Sequence, residues 1–161
     1  MGCTTRINAR QEAIDVLVRY ADGLDRGDAA QFESCFAQDA TLDLSPFSVL
    51  GMAYQPIHGR AAIAAECMKA VGTTLETTHS LTNFLVTLSE QNDGASVTCL
   101  SEAQHVKKGH EFDVESQDSA LIVKCRYEAA VVAQEGESEW KIKSLKLTPL
   151  WSRGSMTIFG K

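Results

Sequence analysis

A chain of 161 residues reads as one domain, long enough for a core and a small-molecule cavity. At 44% hydrophobic and 22% charged it has an ordinary globular composition. The formal net charge of -6 argues against a nucleic-acid surface, since phosphates are held by clustered Lys and Arg and no basic stripe occurs. No apolar run approaches a membrane span.

Cys3, Cys35, Cys67, Cys99 and Cys125 are widely spaced, odd in number and free of any CxxC. That pattern reads as reduced, mostly buried thiols of an intracellular protein, not as a disulfide framework. The opening "MGCTTR" carries no apolar signal-peptide core. Arg6 also stands where a myristoylation pattern wants Ser or Thr, so an unlipidated, cytoplasmic protein is expected.

In "INARQEAIDVLVRYADGLD", Ile14, Leu17, Val18, Ala21 and Leu24 or Asp25 recur at steps of three and four. This is the stripe of an amphipathic helix, weakened at its end by Gly23 and Gly27. Asp28 is a natural N-cap for a second short helix, "AAQFESCFAQ", with Phe32, Cys35 and Phe36 inward. "ATLDLS" predicts a short strand, followed by a loop with Pro46, Gly51 and Pro56. "GRAAIAAECMKAVG" predicts a third helix, ended by Gly72. From residue 76 the pattern changes from helical to alternating, with strand-like runs at 76–90, 95–108, 117–133 and 139–150. "QNDG", "KKGHEFDVESQD" and "QEGES" separate them as turns. Helices first and hairpin-linked strands after predict an α+β domain with segregated layers. A curved antiparallel sheet wrapping three helices would leave a cavity at the mouth of the cone.

Within "ETTHSLTNFLVTLSE", alternation puts His79, Leu81 and Asn83 on one face. Two polar groups bracketing a leucine suit either an exposed face or a pocket wall, where a histidine moves protons near neutral pH. His105, in "TCLSEAQHVKK", shares a face with Cys99, Ser101 and Ala103. Pairing through a turn centred near residue 93 sets position 79 opposite 107 and brings the two histidines close if their registers agree. His110, Glu111, Asp113, Glu115 and Asp118 lack the ligand order of a calcium loop and read as a solvated charge run. His58 is assigned no role.

Asp25 closes the apolar stripe of the first helix, flanked by Asp22 and Asp28. It is either a solvated helix end or a core-side carboxylate that needs a partner. A histidine is such a partner: the aspartate fixes the tautomer and stabilises the imidazolium while the other nitrogen takes a substrate proton. Val123, Cys125, Tyr127, Ala129 and Val131 form the more apolar face of their strand, so Tyr127 is expected inward. No GxSxG, P-loop or HExxH occurs.

These residues, in this order, resemble the SnoaL-like branch of the NTF2-like superfamily. Within it they are most similar to the group of scytalone dehydratase, bile-acid 7α-dehydratase and hexachlorocyclohexane dehydrochlorinase. The likeness runs through "RYADGLDRGDAAQFESCFAQDATLD", "GRAAI", "TTHSLTNFLV" and "EWKIKSLKLTPLWSRG". It implies an NTF2-like (cystatin-like) cone: three N-terminal helices on a curved, mostly antiparallel sheet around an internal pocket, all in one domain over residues 1–161.

The resemblance also implies a helix aspartate paired with a strand histidine. Asp25 in "GLDRGD" and His79 in "TTHSLTN" match them, with His105 as a second pocket histidine and Tyr20 as a pocket polar group. Two carbonyl-activating tyrosines of scytalone dehydratase are replaced here by Leu24 and Leu44, so scytalone itself is not the expected substrate.

The expectation is a lyase needing neither cofactor nor metal, dehydrating a small, largely apolar cyclic hydroxy-carbonyl compound. His79 removes the α-proton, Asp25 orients it, and Tyr20 and His105 donate to the enolate. Leu44, Phe47, Met52, Leu81 and Trp151 are expected as apolar walls, with Asn83 and Tyr127 completing the substrate contacts. The same dyad supports isomerisation or polyketide-type cyclisation, and the same cone supports a non-catalytic binding module or an assembly subunit. The expected partners are a small molecule and further copies of the chain, as a dimer or trimer, because Ile122, Ala130 and Val132 remain on the outer sheet face. Neither nucleic acid nor membrane is expected.

Overall fold

The first helix, α1 (Cys3–Asp25), packs through Ala13, Val16, Leu17, Tyr20, Ala21 and Leu24 in a computed structural model that describes residues 3–113, 118–133 and 139–160. The buried stripe is rotated from the one expected. Val18 is exposed and Ile14 only half-buried, because Tyr20 takes the core position and carries more apolar surface than either. The helix also runs through Gly23 rather than fraying there. A Cβ at Gly23 would lie 2.8 Å from the backbone nitrogen of Phe32, so its bare α-carbon lets the second helix press against the first.

That second helix, α2 (Ala29–Ser34), is capped by Asp28, whose carboxylate accepts the Gln31 N–H at 3.0 Å. It stops before "CFAQ", because the chain there is recruited into β1 (Phe36–Asp43). The Cys35 carbonyl already accepts the N–H of Ile142 at 2.7 Å. Sheet pairing overrides a local preference for helix. A two-residue strand, β2 (Ile57–His58), precedes α3 (Arg60–Cys67), which continues as a wider π-helical turn over Met68–Gly72. Four long strands follow: β3 (Leu75–Leu88), β4 (Gly94–Lys107), β5 (Ala120–Ala133) and β6 (Trp140–Gly154). A short 3-10 turn, Met156–Phe159, closes the chain's described part.

The strands form one sheet in the order β2-β1-β6-β5-β4-β3, with β1 and β6 parallel and every other pair antiparallel. Its inner face and the helices enclose the core. Tyr20, Phe32, Phe36 and Tyr127 meet there with ring centroids 5.1 to 6.3 Å apart. Each such ring contributes about 1.5–3 kcal/mol by leaving water. Ile122, Ala130 and Val132 lie half-buried on the opposite parity.

β3 does not keep one face throughout. Its register against β4 slips by one residue between Thr82 and Leu85, and Asn83 there adopts φ 57°. This β-bulge changes the phase of the strand. Leu75, Thr77, His79 and Leu81 face inward before it; Phe84, Val86 and Leu88 do so after it. The hairpin centre shifts as well: His79 stands opposite Ala103, and Thr77 opposite His105, rather than residue 79 opposite 107.

Candidate active site

Asp25, the last residue of α1, reaches the free edge of the sheet. His79 Nδ1 lies 2.6 Å from Asp25 Oδ1, the His79 backbone N–H donates to Oδ2 at 2.8 Å, and the Thr77 hydroxyl donates to Oδ1 at 2.8 Å. A carboxylate accepts only, so Nδ1 of His79 carries the hydrogen and Nε2 is left as the reactive nitrogen. Burial pushes the Asp25 carboxyl up, but the hydrogen bonds and charge of His79, with the Thr77 hydroxyl, outweigh it and hold the group below the ordinary carboxylate range. The aspartate is therefore ionised and able to support an imidazolium.

The His79 ring forms part of the wall of an internal cavity of about 160 Å³. His105 lines the same wall, its ring edge-to-face with His79 at 5.7 Å and with Phe159 at 5.6 Å. Its Nδ1 sits 3.4 Å from the Leu121 carbonyl, a bond that needs hydrogen on Nδ1. Burial, then the neighbouring His79, pull its pKa down to about 4. His105 is thus a neutral ring offering the cavity an Nε2 lone pair. That corrects the donor role expected for it: at neutral pH it accepts.

Two phenols share the cavity with the histidines. Tyr20 and Tyr127 are buried, meet edge-to-face at 6.3 Å, and line the cavity. Burial pushes both phenols up, for Tyr127 against the lowering effect of its hydrogen bonds with Ser101 and Tyr20, so both keep their hydrogens at neutral pH. Cys67 and Cys125 also line the cavity, with thiols pushed up to about 12 by burial. Such thiols are inert. Cys35, Cys67, Cys99 and Cys125 are all free. Among the described residues, no group of three or more His, Cys, Asp or Glu is arranged to hold a metal ion.

Of the residues singled out from sequence, Tyr20, His79, His105, Leu44, Phe47, Met52 and Tyr127 all line the cavity. Asp25 does not line it and reaches it through His79. Three expected wall residues lie elsewhere. Leu81, though on the inward parity, borders a separate groove between α1 and β3, with Val18, Asp22, Asp25 and His79. Asn83 is exposed because the bulge turns it away from the interior. Trp151 is half exposed. A register shift in β6 at Leu150 places it opposite Lys124 on the outer sheet face rather than opposite an inward residue. His110, Glu111, Asp113 and Asp118 are exposed; Glu115 lies outside the described residues.

Sequence reasoning missed Thr77, Tyr54, Glu66, Cys67 and Phe159. Thr77 was legible, since it lies two positions before His79 on the same face. Tyr54 and Phe159 reach the cavity from a loop and a 3-10 turn that have no periodicity to read.

No helix among the described residues is long and apolar enough to cross a membrane. A search of curated proteins returned no match. Solved structures do match. A Novosphingobium aromaticivorans protein provisionally named an aromatic ring hydroxylase has 28% identity over 94% of this chain and 96% of its own, with a TM-score of 0.75. A provisionally named scytalone dehydratase from the same organism has 19% identity over 94% and 91%, with a TM-score of 0.74. A type 2 hexachlorocyclohexane dehydrochlorinase (LinA) has 16% identity over 96% and 93%, also at 0.74. The shared architecture is the NTF2-like, cystatin-like fold. The sequence profile of the SnoaL-like domain matches residues 5–146. With that match spanning most of its length, the chain belongs to the SnoaL-like domain family.

Proposed function

We propose that this protein is a cofactor-independent lyase that dehydrates a small cyclic β-hydroxy carbonyl compound. One observation carries this reading: the 2.6 Å contact between Asp25 and a His79 ring that walls a largely apolar cavity. His79 Nε2 takes the proton on the carbon beside the carbonyl, and that C–H electron pair becomes the enolate. Tyr20 and Tyr127 donate to the enolate oxygen, where placed donors stabilise developing charge most. Asp25 stabilises the imidazolium. As the enolate collapses, the C–O bond to the β-hydroxyl breaks. Nε2 returns its proton to the departing oxygen, releasing water. His105 Nε2 accepts from the O–H of the leaving group and so aims its lone pairs toward His79. The dehydratase and dehydrochlorinase names among the structural relatives fit an elimination, the second expelling chloride in place of hydroxide.

The test uses 3-hydroxycyclohexanone, with enone formation followed by absorbance, and cyclohexanone in D2O, with α-proton exchange followed by NMR. The wild-type protein should accelerate at least the exchange. His79→Ala and Asp25→Asn should each lower it by about 100- to 10,000-fold, the range for a lost general base. Equal exchange in wild type and His79→Ala would overturn the reading.

A further inference from the structure

We propose that the cavity selects uncharged single-ring ligands over their anionic analogues, and that Glu66 at its mouth sets this preference. The substrate class so named rests on the lyase reading above, since it takes the same cavity as the reaction site.

Size comes first. A cavity near 150 Å³ holds a benzene-sized guest, and this one measures about 160 Å³. One six-membered ring with one or two substituent atoms fits; two fused rings do not without displacing a wall.

Charge is the second constraint. Glu66 and Ala70 line the cavity and are exposed, which places them at its mouth. Tyr54 and Phe47, edge-to-face at 6.2 Å, line it too and are only half-buried. Glu66 therefore adds a carboxylate where a ligand enters. The mouth is also built on the C-terminal end of α3 and the π-helical turn after it, through Glu66, Cys67, Ala70 and Val71. Inside, Asp25 stands behind His79, and even a protonated His79 only cancels it. His105 is neutral. A carboxylate or phosphate drawn inside would be a buried anion facing two carboxylates, with no Lys or Arg among the described lining residues. That arrangement disfavours an anion. A ketone or alcohol meets none of this and finds donors in Tyr20 and Tyr127 and an acceptor in His105.

The experiment measures binding, not turnover, by calorimetry or saturation-transfer NMR at pH 7.5. The probes are benzyl alcohol, benzoate and 2-naphthalenemethanol. Benzyl alcohol should bind about ten-fold or more tightly than either of the others. Glu66→Gln should narrow the handicap of benzoate several-fold and Glu66→Lys should narrow it further, with benzyl alcohol little changed. Met52→Trp, which fills the cavity, should abolish benzyl alcohol binding. Benzoate binding as tightly as benzyl alcohol overturns the charge selection. An unchanged ratio in both Glu66 variants removes Glu66 from it. No benzyl alcohol binding, or binding that survives Met52→Trp, overturns the assignment to this cavity. Failure of the chemistry is distinguishable: a preference kept in a protein that exchanges no α-protons sinks the lyase reading alone, and active protein without the preference sinks this one alone.

Discussion

Acidification to pH 4.5 should destabilise this protein through His105, and replacing that residue should remove the effect. The ring is buried, its neutral form bonds to the Leu121 carbonyl, and its pKa falls from 6.5 to about 4. In the unfolded chain the same imidazole titrates at its ordinary value. Between those two pH values the unfolded state therefore binds a proton that the folded state refuses. Stability is full above pH 6.5, falls as the pH drops toward 4, and levels off below that. At about 1.4 kcal/mol for each pH unit, the loss by pH 4.5 is roughly 2–3 kcal/mol, a large share of a small domain's stability. Asp25 does not confuse the measurement. Its carboxyl is held below the ordinary value of 3.8, so its contribution is present above that pH and lost only as the pH falls further. The assay is urea unfolding at pH 7.5, 6.5, 5.5 and 4.5, for wild type and His105→Gln, comparing the slope of stability against pH. The variant should be flatter by roughly 2 kcal/mol over that interval. An identical fall in both proteins would refute the account of a buried neutral imidazole.

Tyr127→Phe should keep the fold, since the ring and its packing remain, yet slow α-proton exchange by about 10- to 1000-fold through loss of one enolate donor; NMR exchange rates check this. Gly23→Ala should destabilise by about 1–3 kcal/mol despite alanine's better helix propensity, because its Cβ meets the Phe32 backbone rather than a side chain that could move. Chemical denaturation reads that change. At Asn83, whose φ is 57°, Gly should be tolerated and Val should cost about 1–2 kcal/mol, since a β-branched residue resists the left-handed conformation. A pair of thermal melts separates the two.

Most of the architecture was written in local pattern. The four long strands, the Asp28 cap and the inward Phe32, Cys35 and Phe36 all follow from periodicity and capping chemistry. Asp25 and His79 could be paired in advance because each was awkward alone: a carboxylate at the end of an apolar stripe and an imidazole on a half-polar strand face. What escaped was set by distant partners. Helix propensity could not reveal that "CFAQ" joins the sheet, because the decisive hydrogen bond comes from Ile142. Alternation in β3 could not place Asn83, because a bulge spends one residue without announcing itself. The same kind of slip at Leu150 turned Trp151 outward. Errors of parity, not of element type, account for Asn83 and Trp151.

The carboxylate of Asp25 holds the imidazole through one oxygen and the main chain of the same residue through the other. Because β3 ends the sheet, that amide has no neighbouring strand to bond, and a side chain from the helix layer stands in for one. The ring's aim is thus inherited from how the two layers are seated. Any local opening that lifts the sheet margin from α1 would release the His79 ring before the domain as a whole melts, so on the lyase reading heat inactivation should precede unfolding.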